Sequence, residues 1–174
     1  MADSAVSSLL RAFLEKAGGA APWRDWMAAA LYDPAHGYYT AQIRTVGRTG
    51  DFSTSATLSG HLGLAVARWV AQEWKAAGRK LPLIEVGPGD GSLHAGVLAG
   101  LGWLGRRGVR CHLVERSPVL REVQQRRLRR WRGKIEWHGT MESALERCGG
   151  EALVFSNELA DAFPATLLQQ EAGK

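Results

Sequence analysis

The sequence predicts an α/β fold, with a parallel sheet in the second half of the chain and a helical segment before it. Three observations predict it. Apolar residues recur at helical period up to about residue 77, and from residue 81 short apolar runs alternate with helical stretches. The first of those runs ends in a glycine loop, as a buried parallel strand does. The length of 174 residues fits about one domain and is long enough to bury a core. We expect residues 1–78 to form the helical part and residues 79–174 the sheet part.

The helical part reads as three helices. Leu9, Leu10, Phe13, Leu14 and Ala17 share one stripe, and Gly18-Gly19 stops it. Pro22 opens a second helix at its first position, and Asp33-Pro34 ends it, because the residue before proline is pushed out of the helical region. Residues 36–56 are rich in glycine and hydroxyls and read as a structured loop. A third helix begins near Ser59 and carries Leu62, Ala65, Val66, Trp69 and Val70.

The sheet part reads as four strands. Leu81–Val86 is the first and Val109–Val114 the second, with a helix through Leu93, Val97 and Leu98 between them. An arginine-rich helix follows, with Leu120, Val123, Leu128 and Trp131 on one stripe. Lys134–Trp137 is a weaker third strand, Met141–Arg147 a short helix and Ala152–Phe155 a fourth strand. Alternation of this kind gives right-handed βαβ crossovers.

Composition narrows the function classes. Charged residues are 22% and hydrophobic ones 45%, which fits neither a disordered chain nor a fibrous one. No apolar run reaches the roughly 20 residues of a membrane span. Two cysteines are too few for a disulfide framework, and the first residues carry no secretory pattern, so a reduced, cytoplasmic setting is expected. The net charge of +5 is local, with six arginines between Arg121 and Arg132. Such a run reads as a solvated helix face in preference to a nucleic-acid surface, since no nucleic-acid module accompanies it. The five histidines lie on different elements without metal-ligand spacing, so no metal site is expected.

The informative stretch is Glu85-Val86-Gly87-Pro88-Gly89-Asp90-Gly91. Its G-x-G-x-G spacing departs from the dinucleotide fingerprint, and Pro88 removes an N–H that a pyrophosphate could use. Glu115 ends the next strand, where an acid either accepts the two hydroxyls of a ribose or serves as a charge at a helix start. Glu85 stands at the strand end, where an acid can meet a cationic ligand group. Asn157, Glu158 and Asp161 follow the fourth strand, either facing a substrate or capping the next helix.

These residues resemble a class I, Rossmann-like S-adenosylmethionine-dependent methyltransferase. Ala30-Leu31-Tyr32-Asp33-Pro34 with Gly37-Tyr38-Tyr39, Gly50-Asp51-Phe52-Ser53-Thr54-Ser55, Leu113–Arg121 with Gln124, and Ser156–Pro164 are together similar to the MidA family. That family includes mitochondrial complex I assembly-factor arginine methyltransferases. The resemblance implies S-adenosyl-L-methionine as cofactor. Gly87, Pro88, Gly89 and Gly91 would cradle its amino-acid end, Glu115 would take the ribose, and Met141 would lie by the adenine. Asp51 is a turn residue or a partner for the ammonium group. Asn157, Glu158 and Asp161 would face the substrate, an arginine side chain of a protein, and the two carboxylates would orient its nitrogen and accept its proton.

The chain departs from the family pattern at Ala56-Thr57, where Pro-Glu is usual, and at Gly96, where an acid is usual. The family sheet has seven strands and this sequence supplies four. A partial sheet with an open fourth strand is therefore expected, covered by self-association or a partner chain. The competing expectation is a non-catalytic or truncated methyltransferase-like domain that binds cofactor or a partner protein.

Overall fold

The structure, a computed structural model, describes residues 5–42 and 60–170. The chain forms two compact units, one of Met1–Ile43 with Ala160–Lys174 and the other of Arg44–Leu159. The helix before the first strand belongs with the sheet, not with the helices that precede it, so the contacts do not divide the chain at residue 78.

In the first unit, α1 spans Ala5–Lys16 and α2 spans Trp23–Tyr32. The carbonyls at the end of α1 are closed by Gly19 N–H donating to Leu14 O at 2.8 Å, with Gly18 and Gly19 both at positive φ. Pro22 is the residue before the first helical turn, one position earlier than its spacing predicts. Asp33 is extended at φ −54°, ψ 131°, as a residue before proline must be. Its carboxylate accepts the N–H groups of Ala35 and His36, and those backbone bonds lower its pKa. Tyr32 donates to Ala162 O at 2.6 Å and ties residues 160–162 to α2. Residues 36–42 form one short irregular helical turn over Tyr38–Gln42.

The second unit holds α3 (His61–Ala77), β1 (Leu83–Val86), α4 (Ser92–Gly100), α5 (Gly102–Arg106), β2 (Cys111–Val114), α6 (Pro118–Arg127), β3 (Ile135–His138), α7 (Met141–Arg147) and β4 (Leu153–Phe155). The sheet order is β3-β2-β1-β4, all parallel. Every strand's carboxyl end therefore lies on one edge. The order turns back on itself at β1, with β2 on one side and β4 on the other. That is the switch point where open α/β sheets place ligands.

The two faces of the sheet are covered differently. Leu83, Cys111, Leu113, Ile135 and Leu153 pack with Ala67, Val70 and Trp74 of α3 and with Leu93, Val97 and Leu98 of α4. The other face carries Ile84 and Val114 against Ala144 of α7. Gly96 has a structural role: α3 and α4 cross so closely that a Cβ on Gly63 would lie 2.7 Å from Gly96 Cα. No larger residue fits that crossing without moving a helix.

The arginine-rich segment is not one helix. It leaves the α-helix at Leu128 and tightens into a 3-10 turn over Arg129–Lys134. The apolar stripe survives, with Leu120, Leu128 and Trp131 buried. Arg130 stacks on Trp131 at 3.9 Å and Arg126 pairs with Glu122 at 3.7 Å on the exposed side. No helix among the described residues is long and apolar enough to cross a membrane.

Candidate functional site

The loop after β1 is built from three glycines at positive φ, with Gly87 at 65°, Gly89 at 55° and Gly91 at 81°. A side chain at any of them would be strained, so the residue type is fixed by the backbone path. Gly87 N–H donates to Val114 O at 3.0 Å, which pins the loop entry to β2, and Gly91 N–H donates to Pro88 O at 2.8 Å to close the turn. A Cβ on Gly87 would stand 2.6 Å from Leu159 Cδ1, so the segment after β4 lies against the loop.

Asp90, the non-glycine at the loop's tip, is 3% exposed. Its Oδ1 accepts from Ser92 N–H at 2.9 Å and from the Ser92 hydroxyl, and its Oδ2 pairs with Arg127 at 2.8 Å. It thereby satisfies an N–H at the start of α4 and ties the loop to α6.

Glu85 is also buried, and it faces the protein. Its Oε2 lies 3.0 Å from Nδ1 of His94, which is fully buried in α4. Burial disfavours charge on His94, but the neighbouring Cys111 and Glu85 outweigh it, and its pKa is raised to about 10. The carboxylate expected to meet a ligand's positive group is thus engaged by a buried histidine from beneath the loop.

Glu115 continues β2 and its backbone N–H donates to His138 O at 2.9 Å. Its carboxylate is buried, with Oε1 accepting from Ser117 N–H at 2.8 Å and Oε2 from Gln124 Nε2 at 3.0 Å. Burial raises its pKa, against the lowering effect of those bonds and of Arg121. Ser117 also caps α6 through Leu120 N–H, so the acid sits on a rigid helix start.

Gln124 connects these parts. It is fully buried, and its Nε2 donates to Gly89 O at 2.8 Å as well as to Glu115, while its Oε1 accepts from Trp137 Nε1 at 3.0 Å. One side chain therefore joins the glycine loop, the β2 acid and β3. Its position with Leu113–Arg121 in the family resemblance is the sequence signal that picks it out, but that signal does not say what it touches.

The remaining predicted residues lie apart from that network. Met141 is half-buried and packs against the Ile84, Val114 and Ala144 core, with Thr140 capping α7 through Ser143 N–H at 3.2 Å. Asn157 is half-buried and Glu158 exposed after β4. Glu158 has φ 51°, the one non-glycine residue at positive φ among those described. Asp161 is exposed in a short 3-10 turn, Ala160–Ala162, of the first unit. Asp51 lies outside the described residues.

A family model described as "Putative S-adenosyl-L-methionine-dependent methyltransferase" matches residues 65–174. The chain belongs to this methyltransferase family. The "Protein arginine methyltransferase NDUFAF7, mitochondrial" of Danio rerio is 42% identical over 106 residues, which is 58% of this chain and 25% of that protein. The Drosophila melanogaster homolog of the same name is 31% identical across 99% of this chain and 44% of its own length. A crystal structure of a COG1565 superfamily member from Burkholderia thailandensis, bound to S-adenosyl-homocysteine, superposes with TM-score 0.70 at 32% identity. That match covers 79% of this chain and 38% of that one. The chain thus spans less than half the length of these relatives. The fold expectation holds: a partial methyltransferase sheet with four parallel strands and N-terminal helices.

The cofactor of this family, S-adenosyl-L-methionine, carries a ribose with two neighbouring hydroxyls. A carboxylate offers about four acceptor positions, and Glu115 uses two of them within the protein. Two remain for a vicinal diol, and the acid is already held in place by Gln124 and Ser117. The residues fit the group.

Proposed function

We propose that this chain binds S-adenosyl-L-methionine along the carboxyl ends of β1 and β2, as the cofactor-binding half of a methyltransferase acting on arginine side chains of a protein. The observation that carries the cofactor reading is the Glu115–Gln124–Gly89 network, a buried acid with spare acceptor capacity tied to a glycine loop at a switch point. The names of the relatives support the arginine reading.

The cofactor supplies an electrophilic methyl group on a sulfonium, and the chain's residues hold and orient. Glu115 fixes the ribose and the 87–91 loop gives the amino-acid end a backbone it can approach closely. Asn157 and Glu158, after the strand on the other side of β1, present an amide and a carboxylate to a guanidinium. A planar fork of donors matches a carboxylate, and Glu158 accepts the proton released as nitrogen gains the methyl group.

Calorimetric titration of the chain with S-adenosylhomocysteine tests the cofactor claim. Saturable binding is expected, and absence of heat at millimolar ligand in a folded sample removes the claim. Glu158→Gln should keep that binding and lose methyl transfer to an arginine-containing peptide. Undiminished transfer in the variant takes Glu158 out of the reaction.

A second reading rests on β4. Among the described residues β4 pairs with β1 alone, and Val154 is 41% exposed. An edge of this kind is a template for another strand. On this reading the chain works as a cofactor-binding module completed by a second copy or a partner chain. Light scattering that finds a strict monomer across a wide concentration range would count against the second copy.

A further inference from the structure

The face of the sheet under α7 carries a group that neither the fold nor the proposed reaction uses. β2 and β3 pair with His112 opposite Glu136, and His138 lies two residues beyond Glu136 on the same face. The register therefore collects three residues that the sequence separates. One ligand atom from each of His112, Glu136 and His138 lies within 4.8 Å of the other two.

Two imidazoles and a carboxylate form a ligand set suited to zinc, and metal–nitrogen bonds of 2.0–2.1 Å place neighbouring ligand nitrogens about 3.3 Å apart in a tetrahedral site. His112 Nδ1 and His138 Nε2 stand 3.0 Å apart. Small movements of side chains would therefore suffice. The protein leaves the imidazole pair incompletely bonded: His112 is 1% exposed and its Nε2 has no hydrogen-bond partner among the described residues. The other ring nitrogen of His138, Nδ1, lies 3.2 Å from the Ser143 hydroxyl. An N–H there would donate to Ser143 and leave Nε2 with its lone pair towards His112, as an outer hydrogen bond does for a ligating histidine.

We propose that His112, Glu136 and His138 form a binding site for a first-row divalent metal ion of the zinc type, which clasps β2 to β3. Arg110, Arg121 and Arg147 lie around the two imidazoles and oppose a cation, so the carboxylate is indispensable. Glu136 is bonded to Arg147 at 2.9 and 3.3 Å, but both side chains are exposed and water screens the pair. Release of the arginine is therefore a small cost. A hollow of about 350 Å³ at the starts of β2 and β3 is lined by two of the three residues, His112 and Glu136. The site would stiffen the strand pair whose end carries Glu115, since His138 O accepts the Glu115 N–H.

The test uses the full chain after treatment with a chelator. Co2+ titration is followed by visible d–d absorption, and Zn2+ affinity is measured against a chromophoric competitor. Stoichiometric Co2+ binding that Zn2+ displaces is expected, with a rise in thermal midpoint on Zn2+ addition. Glu136→Gln changes an exposed position and should keep the native circular dichroism. It should weaken Zn2+ binding by more than about 10-fold and abolish the thermal shift, and Ser143→Ala should weaken it about 10-fold. Absence of stoichiometric Co2+ binding overturns the proposal. So does equal Zn2+ affinity in Glu136→Gln, or loss of binding on Cys148→Ser alone, which would place the ion on the thiol. None of these outcomes depends on whether the chain binds S-adenosylmethionine.

Discussion

The ends of β1 and β2 differ sharply from the segment after β4, although all three strands run parallel to one edge. At β1 and β2 the carboxylates are buried and each is held by protein groups: Glu85 by His94, Glu115 by Ser117 and Gln124. After β4, Asn157 is half-buried, Glu158 is exposed, and the backbone adopts φ 51° at a non-glycine residue. One region is assembled before any ligand arrives. The other keeps its polar groups at the surface and stores backbone strain, which proteins concentrate where groups must meet a partner. The proposed division between a cofactor side and a substrate side rests on this difference.

The contrast predicts unequal responses to mutation. The largest should come from the pair beneath the loop. Glu85→Gln leaves the buried His94 without its counter-charge and should cost about 3–5 kcal/mol in urea unfolding at neutral pH. The pair also sets a pH dependence. Because the folded His94 value is raised from 6.5 to about 10, its contribution to stability is full below pH 6.5 and is lost as pH rises through about 10. Unfolding midpoints measured from pH 6 to pH 10 should fall in the native chain and flatten in Glu85→Gln. A flat native profile would show that the pair is neutral and break the first half of the contrast.

Gln124→Leu should come next. It strands Gly89 O, Glu115 Oε2 and Trp137 Nε1, each costing about 1–3 kcal/mol where water cannot replace the bond. A total loss of about 3 kcal/mol is expected, accompanied by weaker S-adenosylhomocysteine binding. Glu115→Ala should lower that affinity about 10–100-fold, in line with the loss of one or two charge-assisted hydrogen bonds. An affinity within twofold of the native chain would sever the ribose role from this acid. The smallest effect belongs to the other region. Glu158→Gly relieves the positive φ and should stabilise the chain by about 1 kcal/mol in the same urea measurement. Destabilisation there would mean that the side chain holds more than the backbone strain costs.

Much of the fold was legible from local patterns. Asp33-Pro34 and Gly18-Gly19 end their helices because the constraint lies in the residue itself. The four apolar runs became four strands: the first two each begin two residues later and the fourth one residue later than the run, and the third is shifted by one residue to take in His138. The arginine-rich segment was less legible. Its stripe correctly marked Leu120, Leu128 and Trp131 as buried, but periodicity does not report the tightening into a 3-10 turn after Leu128.

The site was legible only in outline. The three glycines and Glu115 stood out because the backbone conformation and strand-end position they imply are local properties. What each polar group touches is not local. Glu85 read as a ligand for a positive charge, and the structure set a buried imidazole against it. Gln124 joins three elements through a side chain that no spacing rule singles out.

By itself the sequence determined the kinds of element, their order, the glycine loop and the acid that follows it, because these follow from periodicity and from backbone restrictions of single residues. Only the tertiary structure decided which distant residues share a face. The parallel register of β2 and β3 set His112 beside Glu136 and His138, although their spacing along the chain matches no metal motif. The order β3-β2-β1-β4 made β1 the switch point. Strand pairing is a contact between segments far apart in sequence, so its consequences become visible only once the register is known.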